Sequence, residues 1–221
     1  EPFLVVADFK LEKVRVFLLN ELSDADIEYS IGCATDGIVD GVLEKQPIAF
    51  VDYCKKFNVI QDEIKAGNTY LLNLTQPTSI KTQLSLQEIY DSASAKYKLR
   101  FKDQFVCFSP EKFITIKDNV ISTFPMKGTI NASYLNAREL ILADAKEMAE
   151  HVMVVDLLRN DISMVASSVR VERFRYIETV SAGERDLLQV SSEIRGNLDL
   201  SWHENIGSIL KTLLPAGSIS G

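Results

Sequence analysis

A chain of 221 residues with 46% hydrophobic and 25% charged residues can bury a sizeable core, as one large domain or two small ones. Its formal net charge of −7 and the lack of any basic run exclude a nucleic-acid footprint. The opening EPFLVVADFKLEKVRVFLL carries Asp8, Lys10, Glu12, Lys13 and Arg15 and is neither a signal peptide nor a membrane span. Cys33, Cys54 and Cys107 form no zinc spacing and no disulfide framework, which fits a protein of the reducing cytoplasm. An acidic protein that binds an anion needs a local exception: a lysine, a set of backbone N–H groups or a bound cation.

In chain order, residues 3–9 and 14–19 read as strands of a hairpin turning at Leu11-Glu12-Lys13. Residues 24–46, with Gly32, Gly37 and Gly41, read as irregular. From Pro47 to Ala66 apolar residues recur at helical spacing (Ile48, Val51, Cys54, Phe57, Ile60, Ile64), with Pro47 suited to a first turn and Gly67-Asn68 to a C-cap. Thr69–Thr75 reads as a strand and Leu84–Ala95 as a helix. Phe105–Phe108, Phe113–Ile116 and Val120–Phe124 read as short strands, with Asp118-Asn119 as a turn. The stretch Phe124-Pro125-Met126-Lys127-Gly128-Thr129 places Lys127 in a tight turn between strands.

Asn136–Asp161 reads as a long helix broken once, Val169–Val180 and Leu188–Leu198 as strands, and Trp202–Leu213 as a last helix. No repeat or low-complexity linker interrupts residues 1–221, so a single domain is expected. Strands joined by short turns and separated by single helices indicate an α+β fold with mainly antiparallel sheets.

The long helix carries Glu147, Glu150 and His151 at i, i+3 and i+4, three groups on one side. Met148, Val152 and Val155 form its expected apolar face. A single helical histidine is most often a structural hydrogen-bonding residue, and His151 is read that way. Asp156-Leu157-Leu158-Arg159-Asn160-Asp161 is expected to cap the helix end and brace the adjacent loop. The chain stops at Gly221 inside the small-residue run Pro215–Gly221, so a C-terminally incomplete domain is expected.

Five separated blocks together resemble the chorismate-utilising enzymes, over about residues 3–221. They are SPEKF around Glu111, PMKGT around Lys127, KEMAEH over Lys146–His151, DLLRND over Asp156–Asp161, and PAGSISG at the end. The resemblance implies a two-sheet antiparallel β-sandwich with helices packed outside. It is strongest to the branch forming aminodeoxychorismate, where Pro-x-Lys-Gly-Thr carries the lysine that anthranilate and salicylate synthases usually replace with alanine.

By that resemblance Lys127 is a nucleophile towards chorismate and Glu111 the general acid for the departing hydroxyl. Glu150, with Glu147, holds Mg²⁺. Gly217 and Ser218 receive a substrate carboxylate through backbone N–H groups, and Thr129, Asn73 and Gln189 line the substrate site. Gln189 stands where relatives often carry histidine, and an amide cannot titrate.

The implied reaction joins chorismate and ammonia, the latter from a glutamine amidotransferase partner, since no Cys here sits in a Gly-x-Cys-x-Gly setting. The alternatives are an anthranilate-forming or isochorismate/salicylate-forming sibling, or a non-catalytic module of the same fold. Lys127 argues against the siblings. Lys127, Glu111 and Glu150 together argue against the module.

Overall fold

A computed structural model describes residues 1–32, 42–69, 72–109, 112–182 and 185–217. They divide into two compact units, one from the described residues of 1–4 and 17–109, the other from those of 5–16 and 110–218. A hairpin of β1 (Phe3–Ala7) and β2 (Val14–Leu18) opens the chain, as its pattern predicts.

In the first unit, β3 (Ile27–Ile31), β6 (Tyr97–Phe101) and β7 (Phe105–Ser109) form an antiparallel sheet in that spatial order. A two-stranded ribbon pairs β4 (Glu44–Gln46) with β5 (Ser79–Lys81). Helices α1 (Phe50–Lys65) and α2 (Leu86–Ser92) complete the unit. Ser85 caps α2, its hydroxyl accepting from the Glu88 N–H while the Glu88 carboxylate accepts from the Ser85 N–H.

Three expectations are corrected here. Residues 24–46 contain β3 and β4, although nothing in their composition announces them. The described residues of Thr69–Thr75 form no strand, because a run of β-formers becomes one only when its backbone finds a ladder partner. Tyr97–Phe101 is a strand that the sequence pattern hides, because its alternate positions Lys98 and Arg100 are cations that are nonetheless buried. Lys98 Nζ donates to the Tyr90 and Ala93 carbonyls at the end of α2, and Arg100 bridges Asp26 and Glu28 at 2.7 Å each.

The second unit is a five-stranded antiparallel sheet with helices. Its spine is β12 (Arg185–Asn197), which pairs along its whole length with β11 (Ser167–Ala182). On its other side β12 meets β10 (Met126–Asn131) and then β9 (Val120–Thr123), and β8 (Ile114–Lys117) extends the sheet beyond β9. The expected long helix is broken at Asp144 into α3 (Ala137–Ala143) and α4 (Ala145–Ser163), and α5 (Ile206–Leu213) follows a 3-10 turn at Trp202–Asn205.

Helix α4 turns His151, Val154, Val155, Leu158 and Ile162 inward. Val154, Val155 and Leu158 pack with Ile194 of β12, and Ile162 packs with Ile121, Leu198, Ile209 and Leu213. Gly196 lets α4's end come this close, since a Cβ there would sit 2.8 Å from Ala166 Cβ. Of the expected apolar face only Val155 is buried; Met148 and Val152 are exposed. Among the described residues no helix is long and apolar enough to cross a membrane.

Candidate active site around the bulge of β10

Lys127 does not occupy a free turn. It lies within β10, where the pairing with β12 slips: Met126 faces Ser191 and Thr129 faces Gln189, so Lys127 and Gly128 together oppose Val190. This is a β-bulge, a device that bends a strand and re-aims a side chain. Pro125 and Gly128 are what the sequence offers in favour of a turn. In the folded chain Pro125 precedes the strand and passes its carbonyl to the Ser192 N–H at 2.9 Å. Gly128 supplies the bulge's positive φ of +88°, a conformation that L side chains rarely adopt.

Helix α4 approaches that bulge. A Cβ built on Gly128 would lie 3.4 Å from Glu147 Oε2 and 3.7 Å from Ile141 Cδ1. The glycine is required by its φ, while a Cβ there would meet the carboxylate at ordinary van der Waals distance. Asp144 caps α4 by accepting from the Glu147 N–H at 3.0 Å, which sets the first turn and with it Glu147. Glu150, one turn on, is 39% exposed in its side chain and stands 3.6 Å from Lys146. An exposed i, i+4 pair of this kind is weak and leaves the carboxylate free to bind elsewhere.

The donor set fits a hard cation in part. Glu147 and Glu150 offer carboxylate oxygens, and among the described residues no group of three or more His, Cys, Asp or Glu side chains gathers as a metal cage. Two protein carboxylates suit Mg²⁺, which keeps waters and borrows oxygens from its substrate.

Beneath the bulge lies a polar network that the sequence does not reveal. His151 is fully buried, and its Nε2 is 2.7 Å from Ser192 Oγ. Burial, then the nearby Arg175 guanidinium, pushes the His151 pKa below its ordinary value; the Lys127 backbone carbonyl pulls the other way. Ser192 Oγ also accepts from the Arg175 N–H at 2.9 Å. The Arg175 side chain donates to the Ile141 and Leu142 carbonyls, closing the C-terminal end of α3. The reading of His151 as a hydrogen-bonding structural residue matches this geometry.

On β12, Gln189 is half-buried, paired with Thr129 on one side and Glu178 on the other. Thr129 is exposed. Ser191, wholly buried, donates to Glu178 Oε2 at 2.9 Å. Lys127 and Thr129 thus lie on β10, Gln189 opposite Thr129 on β12, Glu147 against Gly128, and Glu150 one turn further along α4.

The Gly217 N–H donates to Asp161 Oδ2 at 3.0 Å, so that donor is engaged here; the Asp156–Asp161 block lies within α4 rather than capping its end, and Asp161 holds a turn far along the chain rather than the loop next to its own helix. Ser218 and Glu111 lie outside the described residues. Asn73 is exposed in the first unit, outside any strand.

A profile of the chorismate binding enzyme family matches residues 39–221. A Haemophilus influenzae protein described as an uncharacterized PabA-like protein is 47% identical over the whole of this chain, which spans 69% of it. The Bacillus subtilis aminodeoxychorismate synthase component 1 is 31% identical over 73% of this chain and 36% of its own length. The crystal structure of anthranilate synthase component I from Streptococcus pneumoniae superposes with a TM-score of 0.65 at 27% identity, covering 81% of this chain and 41% of that one. The antiparallel sheets and helices of this α+β chain are thus those of chorismate-utilising enzymes.

Proposed function

The chain belongs to the chorismate binding enzyme family, and from that premise we propose that residues 1–221 are the catalytic domain of an aminodeoxychorismate synthase component I. In this reading it converts chorismate and ammonia to 4-amino-4-deoxychorismate, and the ammonia comes from a glutamine amidotransferase partner. The observation that carries the proposal is the placement of Lys127 in the β10 bulge, beside the α4 turn that bears Glu147. A lysine that merely faced solvent would need no bulge to re-aim it.

The proposed chemistry follows from the groups present. The Lys127 amine attacks C2 of chorismate, the ring double bonds shift, and the C4–oxygen bond breaks. Glu111 supplies the proton that lets hydroxide depart as water. Ammonia then adds at C4, the double bonds shift back, and the C2–nitrogen bond breaks to free Lys127. Glu150 and Glu147 would hold Mg²⁺, which when bound neutralises the ring carboxylate and draws electron density towards it. Gln189 and Thr129, paired across β12 and β10, line the same sheet and orient the ring by hydrogen bonding. Carboxylate capture falls to the turn at Gly217 and Ser218, where the substrate carboxylate would take the place of Asp161 on the Gly217 N–H.

Replacement of Lys127 by alanine tests this. In the full-length protein with chorismate, Mg²⁺ and no ammonia, mass spectrometry should show an adduct on Lys127 in wild type and none in Lys127→Ala. Turnover should fall by about two orders of magnitude or more, because one hard displacement is no longer split in two. Unchanged turnover in Lys127→Ala, with no adduct in wild type, would reassign the chain to a sibling reaction on chorismate. Near-native circular dichroism of the variant accompanies the assay.

A further inference from the structure

We infer that Arg175 is a positioning residue whose guanidinium clamps the break between α3 and α4 and so sets Glu147 in the first turn of α4; this rests on the proposed role of Glu147 in holding Mg²⁺.

The placement begins in the backbone of β11. Arg173 pairs with Glu193 and Tyr176 with Ser191, so Phe174 and Arg175 together oppose Ser192 in a second bulge on the same spine strand. Arg175 takes a φ of +50° there, the left-handed region that long side chains seldom occupy. Its N–H donates to Ser192 Oγ at 2.9 Å. Glycine would adopt this backbone without strain, so the conformation does not call for an arginine, and the reason for one lies in the side chain.

The guanidinium spans the helix break. Nη1 donates to the Leu142 carbonyl at 3.0 Å and Nη2 to the Ile141 carbonyl at 3.2 Å, both in the last turn of α3. Nη1 also lies 3.0 Å from Met148 Sδ, one residue beyond Glu147. The last carbonyls of a helix lack partners within it, and a cation there complements the helix dipole. One group thus grips the helix before Asp144 and the helix after it. Fixing Ile141 and Met148 against each other fixes the stretch between them, which holds Asp144, its cap on the Glu147 N–H, and Glu147 itself. A planar fork can reach two carbonyls and a sulfur at once, whereas a lysine ammonium is a point charge on a single stem.

Two variants of the full-length protein test the clamp. Arg175→Gly suits the left-handed backbone and removes the guanidinium, while Arg175→Lys keeps the charge and loses the fork. Loss of a group behind a metal ligand typically weakens metal affinity by about 10- to 100-fold. In Arg175→Gly the Mg²⁺ concentration for half-maximal turnover should therefore rise about 10-fold or more, with kcat at saturating Mg²⁺ within about twofold of wild type. Arg175→Lys should fall between Arg175→Gly and wild type. Amide hydrogen exchange over residues 141–150 gives a readout free of the chemistry, and should be faster in Arg175→Gly, with Arg175→Lys again between.

A Mg²⁺ midpoint in Arg175→Gly within about twofold of wild type, or unchanged exchange at the break, overturns the positioning role. Should Arg175→Gly fail to fold, Arg175→Lys decides on the same two readouts. The metal reading fails separately, through wild-type turnover that ignores Mg²⁺. The exchange comparison then decides the clamp by itself, and equal exchange in every variant overturns it.

Discussion

Helices α1 and α4 are of similar length, 16 and 19 residues, and they differ in what they bury. Helix α1 shows the cleaner amphipathic spacing, yet buries no residue; Phe50, Val51, Phe57 and Val59 are exposed, and Phe50, Tyr53 and Phe57 stack on one another along its surface. Helix α4 has a poorer pattern, interrupted by glutamates and a histidine, yet buries five residues and carries the candidate metal carboxylates. Apolar periodicity thus reports that a helix forms, while burial is decided by what packs against it. Where a helix serves chemistry, its inward face must also hold polar groups, and the periodic signal weakens.

The sharpest test of that contrast is chemical. Glu150→Gln keeps the shape of α4 and removes an anionic oxygen, so in the full-length protein Mg²⁺-dependent turnover should drop by about two to three orders of magnitude. Turnover that keeps both its rate and its Mg²⁺ dependence would make the α4 carboxylates a solvated face like that of α1.

Packing comes next. Leu158→Ala should destabilise by about 2–4 kcal/mol, read as a shift in the denaturant midpoint, because Leu158 lies against Ile194 in a close-packed cluster. A smaller loss, of about 1 kcal/mol, is expected for Asp144→Ala, which deletes the cap on the Glu147 N–H. It should also raise the Mg²⁺ concentration needed for half-maximal activity, since that cap sets the first turn of α4.

The smallest effect belongs to α1. Its N-cap Ala49 has extended backbone and no capping side chain, so Ala49→Ser should raise stability by about 0.5 kcal/mol. Phe57→Ala should cost no more than about 1 kcal/mol. A loss in Phe57→Ala equal to that of Leu158→Ala would break the comparison, because α1 would then be covered in the whole protein.

Much of the second unit was legible in the sequence. Alternation gave β11 and β12 to within a few residues. The helix broken once is α3 and α4, where Asp144 ends one helix and caps the next. The five blocks gave the family. What stayed hidden has physical reasons. Pro125 and Gly128 are turn residues on any local reading, and only the partner strand turns them into a strand entry and a bulge. Lys98 and Arg100 disguise β6, because the carbonyls and carboxylates that satisfy them come from elsewhere in the chain. Ser192 is one of two adjacent serines in an ordinary strand, and its three-way bonding depends on elements far apart in sequence. The elements of the second unit follow largely from local pattern, and the placement of Lys127 and His151 from long-range pairing.

That dependence on long-range pairing bears on the order of assembly. Strands β11 and β12 form a hairpin whose closest pair is Ala182 with Arg185, so its loop-closure entropy is small. Strand β10 reaches the same spine across a much longer separation, Met126 to Ser191, and so carries a larger closure cost. The hairpin can form without the bulge, but the bulge cannot form without β12. Lys127 therefore reaches its place in the bulge only when β10 joins the sheet.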